Sequence, residues 1–193
     1  MESIIREGLL ASARVKSEMA ESGVDSIRMA AERLIRSLKS GGKILLCGNG
    51  GSAADSQHIA AELIGRFGME RKAMPAIALT TDTSILTAVS NDYGYEEIFR
   101  RQVEALGKAG DVLVGISTSG RSKNVVLAME KAKALGMTTV ALAGSEEGPM
   151  TRVADVAIRI PASESARIQE GHIAVGHILC NLVEQHFFGR EGE

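Results

Sequence analysis

The sequence predicts an α/β fold with a largely parallel sheet, and three observations carry that expectation. Five short apolar runs, at 44–47, 76–79, 112–116, 139–142 and 156–160, have the length of buried strands rather than of core helices. Helical segments alternate with most of them, as a crossover-connected sheet requires. Two Gly- or Ser-rich loops follow directly after two of the runs, where ligands collect in such sheets.

Two amphipathic helices open the chain, at about 2–20 and 25–39. In the second, Ile27, Ala30, Leu34, Ile35 and Leu38 recur at helical spacing, and Gly41-Gly42 ends the pair. The run from Ile44 to Cys47 leads into Gly48-Asn49-Gly50-Gly51-Ser52 and a helix. The strand Asp111 to Ile116 leads into Ser117-Thr118-Ser119-Gly120-Arg121-Ser122 and a helix reaching about Leu135. A last helix, from about Ser165 to Phe188, shows a seam of Ile168, His172, Val175, Leu179, Leu182 and His186. A second stripe of Ile173, Gly176 and Cys180 makes it apolar on more than one side, which suits a subunit contact as well as the sheet.

Length and composition bound the class. A chain of 193 residues is one domain's worth, able to bury roughly 70% of its unfolded surface. There are 22 basic and 24 acidic residues, and no Lys/Arg cluster is dense enough for a nucleic-acid footprint, so no polyanionic partner is expected. No signal-like segment is evident and no stretch approaches about 18 uncharged apolar residues, so no membrane association is expected and the protein reads as cytoplasmic. Cys47 and Cys180 are too few and too far apart for a disulfide framework or zinc ribbon, and read as small buried apolar residues. No repeat, low-complexity segment or linker divides the chain.

The loop at Gly48–Ser52 suits an anion, because glycines let backbone amides approach it while the following helix presents unpaired N–H groups and the positive end of its dipole. Ser52, with Asp55 three residues on, also fits a capping pattern, so a well-capped helix after a tight turn is the plain alternative. Gly48, Gly50 and Ala53 satisfy the dinucleotide fingerprint G-x-G-x-x-[GA], which raises a dehydrogenase as a rival. That reading lacks its ribose-binding acid: Glu70 lies in a charged turn and Asp82 comes too late. The second loop crowds Ser and Thr hydroxyls beside helix-terminal amides, a set of neutral donors for a phosphate, although a solvated Ser-rich turn has the same composition.

His58 and Glu62 are four residues apart on the helix after the first loop and share a face, as ordinary surface pairs do. Gln169 and His177, eight apart on the last helix, differ by about 80° around it and meet at one point only if Gln169 reaches across. Spacing alone establishes no metal site.

Over nearly the whole chain these residues resemble the phosphoheptose isomerases of the sugar isomerase (SIS) domain group. The resemblance rests on Gly48 to Glu62, on Gln169-Glu170-Gly171-His172-Ile173-Ala174-Val175-Gly176-His177, and on Pro75 to Ala88. It also includes Asn91-Asp92-Tyr93-Gly94-Tyr95 and Gly110 to Leu113 leading into the Ser/Thr loop. It implies one SIS domain over 1–193, with a five-stranded parallel sheet in a three-layer fold, and residues 1–40 as a helical extension packed on it. The same resemblance implies a homotetramer with active sites at subunit boundaries. The implied activity is isomerisation of sedoheptulose 7-phosphate to D-glycero-D-manno-heptose 7-phosphate through an enediolate, the entry to bacterial nucleotide-heptose precursors for lipopolysaccharide or surface glycans.

Carried over residue by residue, the resemblance places one zinc ion per subunit on His58, Glu62, Gln169 and His177. Substrate contacts fall on Asn49, Gly50, Gly51, Ser52, Asn91, Asp92, Ser117, Thr118, Ser119 and Ser122, with Glu62 and Gln169 shared. Glu62 is implied as the base and His177 as its acid/base partner. No position departs from the pattern; the N-terminal helices and the turn at Ser145–Gly148 diverge. A non-catalytic SIS adaptor that binds a replication initiator shares both loops but replaces Glu62 and His177, which this chain retains. A sugar-phosphate-sensing regulator would need a DNA-binding module, and the N-terminal helices contain no basic recognition helix.

Overall fold

The computed structural model describes residues 1–189, so the last four positions of the expected 1–193 domain lie outside the described residues. Eight helices and five strands follow in the order α1 (Glu2–Ser22), α2 (Val24–Lys39), β1 (Ile44–Gly48), α3 (Gly51–Ile64), β2 (Ala76–Ala78) and α4 (Thr83–Tyr93). After a 3-10 turn at Tyr95–Glu97 come α5 (Ile98–Leu106), β3 (Val112–Ser117), α6 (Lys123–Ala134), β4 (Thr138–Ala143), α7 (Pro149–Val153), β5 (Val156–Arg159) and α8 (Ser165–Phe188). All strand pairings are parallel, in the order β2-β1-β3-β4-β5.

The strands are buried on both faces because helices cover both. Ile44 and Leu46 of β1 point into one apolar layer with residues of α1, α2, α3 and α8. Leu45 and Cys47 point into the other, with residues of α5 and α6. Each such side chain, fully withdrawn from water, contributes about 1.5–3 kcal/mol. Both cysteines are free and buried, as their spacing suggested. Buried Asp111 ties the starts of β1 and β3 by accepting from the Lys43 and Lys108 main-chain N–H groups, at 2.9 and 3.0 Å.

The strand order reverses between β1 and β3, which opens a crevice beyond their carboxyl ends. Register sets Gly48 opposite Ile116, so the loops after these two strands leave the sheet side by side. On α8 the buried seam runs through Ile168, His172, Val175 and Leu179 and then to Val183; Leu182 and His186 are exposed instead. Its last step follows the helical period of 3.6 residues, which carries the buried stripe one residue past Leu182. Among the described residues no helix is long and apolar enough to cross a membrane.

Candidate active site

The first loop turns on Gly50, whose φ of 56° lies in the left-handed region that favours glycine. Gly50 is the N-cap of α3, which corrects the expectation that Ser52 caps it. Ser52 sits inside the first turn, buried, with its N–H donating to the Asn49 carbonyl at 3.0 Å. The positive turn at Gly50 brings the chain into the helix early, leaving the serine side chain beyond the capping position. Gly51 is a close approach: a Cβ there would collide with the Gln169 side chain of α8. Gln169 therefore lies over the opening of α3, and among the described residues it makes no hydrogen bond to His58, Glu62 or His177.

One turn apart on α3, His58 and Glu62 meet through Nε2 and Oε1 at 3.2 Å. The His177 Nε2 approaches the His58 Nε2, also at 3.2 Å, with ring centroids 5.0 Å apart. Helices α3 and α8 come this close because Gly176 faces Ile59 with no side chain of its own. The Phe67 ring, in the loop after α3, leans on His177 at 5.7 Å between centroids. His58 is half exposed and Glu62 less so, at 48% and 25% of the side chain, so the cluster is open to a ligand.

Ligands of a tetrahedral zinc held at about 2.0–2.1 Å stand about 3.3 Å from one another. The two 3.2 Å contacts have that spacing, and the set of two imidazoles, a carboxylate and an amide oxygen is one zinc accepts. Among the described residues, however, no three His, Cys, Asp or Glu side chains are arranged around one point to hold a metal ion. The His58–Glu62 and His58–His177 contacts stand as side-chain contacts between α3 and α8, and a metal ion would require these side chains to turn toward a common point.

At the end of β3, Ser117 Oγ pairs with Ser122 Oγ at 2.8 Å and lies 3.4 Å from Ser119 Oγ, which accepts the Arg121 N–H. Thr118 and Ser119 line a cavity of about 310 Å³ with Gly144, Ser145 and Ser165, next to Ile168, the neighbour of Gln169. The first loop is fastened to the start of α6, the helix that follows the second. Asn49 and Asn124 exchange two amide hydrogen bonds, each 2.9 Å, and Tyr95 Oη donates to Asn49 Oδ1 at 2.9 Å.

Asn91 and Asp92 stand apart from this group. They occupy the end of α4, exposed, with Asn91 Nδ2 donating to Asp92 Oδ1 at 2.8 Å, and among the described residues their side chains make no hydrogen bond to either loop. Asp82, too late in the chain for a dinucleotide site, is the N-cap of α4 and accepts the Ile85 N–H at 2.9 Å.

Sequence reasoning missed several residues of the site. Asn124 and Tyr95 fix Asn49, and Phe67 backs His177, yet their partners are dozens of positions away. Asp55 lies one turn before His58; burial raises its carboxyl above the ordinary range while His58 and His177 pull it back, and among the described residues its Oδ2 has no hydrogen-bond partner. Its place on the Gly51-Asp55-His58-Glu62 face was the available signal.

Comparison with known proteins identifies the family of the chain. The SIS domain family model matches residues 10–144. A phosphoheptose isomerase of Helicobacter pylori (strain P12) is 53% identical over 187 residues, 97% of each chain. One of Clostridium acetobutylicum is 48% identical over 193 residues, covering 99% of this chain and 98% of the relative. The solved phosphoheptose isomerase of Neisseria gonorrhoeae superposes with a TM-score of 0.91 at 44% identity, covering 95% of this chain and 98% of that one. The chain is an isomerase of the phosphoheptose isomerase family, built on a single-sheet SIS fold.

Proposed function

We propose that the chain interconverts sedoheptulose 7-phosphate and D-glycero-D-manno-heptose 7-phosphate by moving a proton between C1 and C2 of the open-chain sugar, with Glu62 and His177 as the exchanging groups. The observation that carries this reading is the unbroken series Glu62, His58, His177 at 3.2 Å per step, across two helices beside the crevice at the strand-order switch.

The remote phosphate is gripped by Ser117, Thr118, Ser119 and Ser122, whose neutral donors hold an anion without adding charge to the site. Gly50 and Gly51 open α3 at the sugar end, where the helix dipole favours negative charge, while the Ser52 N–H is held by the Asn49 carbonyl. Glu62 uses Oε1 toward His58, and Oε2 is left for the substrate. Oε2 takes the C1 proton alpha to the ketone, an enediolate forms, and after exchange with solvent at this partly exposed carboxyl a proton is delivered to C2. His177 exchanges protons with the sugar oxygens as their charge changes.

General acid-base catalysis contributes about 10²- to 10⁴-fold, near 3–5 kcal/mol, short of the roughly 8 kcal/mol or more that enzymes deliver. A zinc ion, one per subunit, on His58, Glu62, Gln169 and His177 would supply Lewis-acid stabilisation of the oxyanion. The donor types and the two 3.2 Å edges support that assignment. Asn91 and Asp92 fit a substrate role best in a homotetramer, whose contacts would use exposed apolar residues such as Ile178 and Leu182 of α8 and Leu9 of α1. The proposed setting is the cytoplasm. Incubation with sedoheptulose 7-phosphate, following aldose formation, tests the activity; no aldose from metal-replete protein would refute it.

A further inference from the structure

Beyond the site lies a buried ion pair that no catalytic role so far accounts for. Arg71, between α3 and β2, and Glu184, near the end of α8, are each 1% exposed and meet at 2.8 Å. Arg71 also donates to the carbonyls of Glu62, Leu63, Gly65 and Lys72, at 2.8, 2.7, 3.2 and 3.0 Å. Glu184 accepts the main-chain N–H groups of Phe67, Gly68 and Met69 at 3.0, 2.7 and 2.8 Å. Burial pushes its carboxyl up, but these three N–H groups and Arg71 outweigh it and hold it down at about 2.

The partners of this pair are the backbone of the site. A helix leaves its last four carbonyls unsatisfied, and Arg71 takes those of Glu62 and Leu63, so it stops the turn that carries Glu62 from fraying. Glu184 holds the Phe67 amide, and the Phe67 ring leans on His177. Stability alone does not explain such a pair, because well-packed apolar residues of similar volume often serve as well.

We propose that Arg71 and Glu184 are positioning residues for the reaction, setting Glu62 through the end of α3 and the His177 ring through Phe67. The proposal rests on the reading of Glu62 and His177 as the exchanging groups.

The test compares Glu184→Gln, Arg71→Met and the double variant in the whole protein. Each single variant leaves an unmatched buried charge or its unpaired partners and melts well below the parent. The double variant removes both charges and regains most of that loss, yet its kcat stays down about 10- to 100-fold with KM for sedoheptulose 7-phosphate nearly unchanged. The His177 ring resonances, shifted by Phe67, move in the double variant. Glu184→Asp keeps the charge and withdraws it by one methylene; it shows the same kcat loss and His177 shift if the double variant does not fold. Parental kcat and unmoved His177 resonances in a folded variant would overturn the proposal. Should the parent itself fail to turn over the sugar, the functional reading falls instead, and the His177 resonances still decide whether the pair sets that ring.

Discussion

The loop from Ser117 to Ser122 and the facing helices α3 and α8 are made of different materials. The loop offers hydroxyls and main-chain groups that bond mainly to each other, with Ser117 to Ser122 at 2.8 Å, and has no ionisable side chain but exposed Arg121. The helices offer Glu62, His58 and His177 in one series, on a scaffold closed by the buried Arg71–Glu184 pair. A grip of neutral donors tolerates small movements, because each hydroxyl rotates to suit its partner. Proton transfer does not, and the groups proposed for it stand on two helices packed through Ile59 and Gly176. On the proposed assignment binding and chemistry are separable, and substitutions on the two sides should have different kinetic signatures.

The largest expected effect is on the helix side. Glu62→Gln should lower kcat by about 10²- to 10⁴-fold while leaving KM within a few-fold, and His177→Ala should follow it; steady-state kinetics in which KM rises and kcat holds would erase the contrast. Metal removal comes next. Prolonged chelation should cost at least about 100-fold in activity, and zinc added back should raise the melting temperature of the parent but not of His58→Ala. Activity indifferent to stripping would make zinc untenable.

Acid should also damage the helix side first, through His172. This imidazole is fully buried on α8, and burial lowers it to about 4, with the Ala143 main chain pulling the other way; among the described residues neither ring nitrogen finds a hydrogen-bond partner of good geometry. Its folded value lies below the ordinary 6.5, so the unfolded chain takes the proton first. Its contribution to stability is therefore complete above pH 6.5 and is lost toward pH 4, by about 3 kcal/mol. Urea unfolding across that range should show a smaller acid loss for His172→Gln; equal acid sensitivity would contradict this assignment. The smallest effect belongs to the loop: Ser119→Ala should raise KM about 10-fold with kcat nearly unchanged, since it removes one donor to a charged phosphate.

Regular elements were legible because their signals are local. Periodicity placed α8 at Ser165–Phe188, where it is found, and the apolar runs located all five strands. The loops were legible for the same reason, since glycines and hydroxyls after a strand announce themselves. What escaped depends on one torsion angle or on distance along the chain. Gly50 takes the cap from Ser52 through a turn at φ 56° that composition does not encode. Arg71 and Glu184 are 113 positions apart, and each alone reads as an ordinary surface charge. Asn49 and Asn124, 75 apart, are equally silent until β1 and β3 pair.

In the proposed chemistry a carboxylate of α3 and an imidazole of α8 act on the same two carbons. Running the isomerisation of sedoheptulose 7-phosphate in deuterium oxide and reading the product by NMR tests it most directly. Deuterium should appear at C2 of the aldose with the parent protein, and both turnover and label should collapse together in Glu62→Gln. Full turnover in that variant, or product from the parent with no deuterium at C2, would contradict the account.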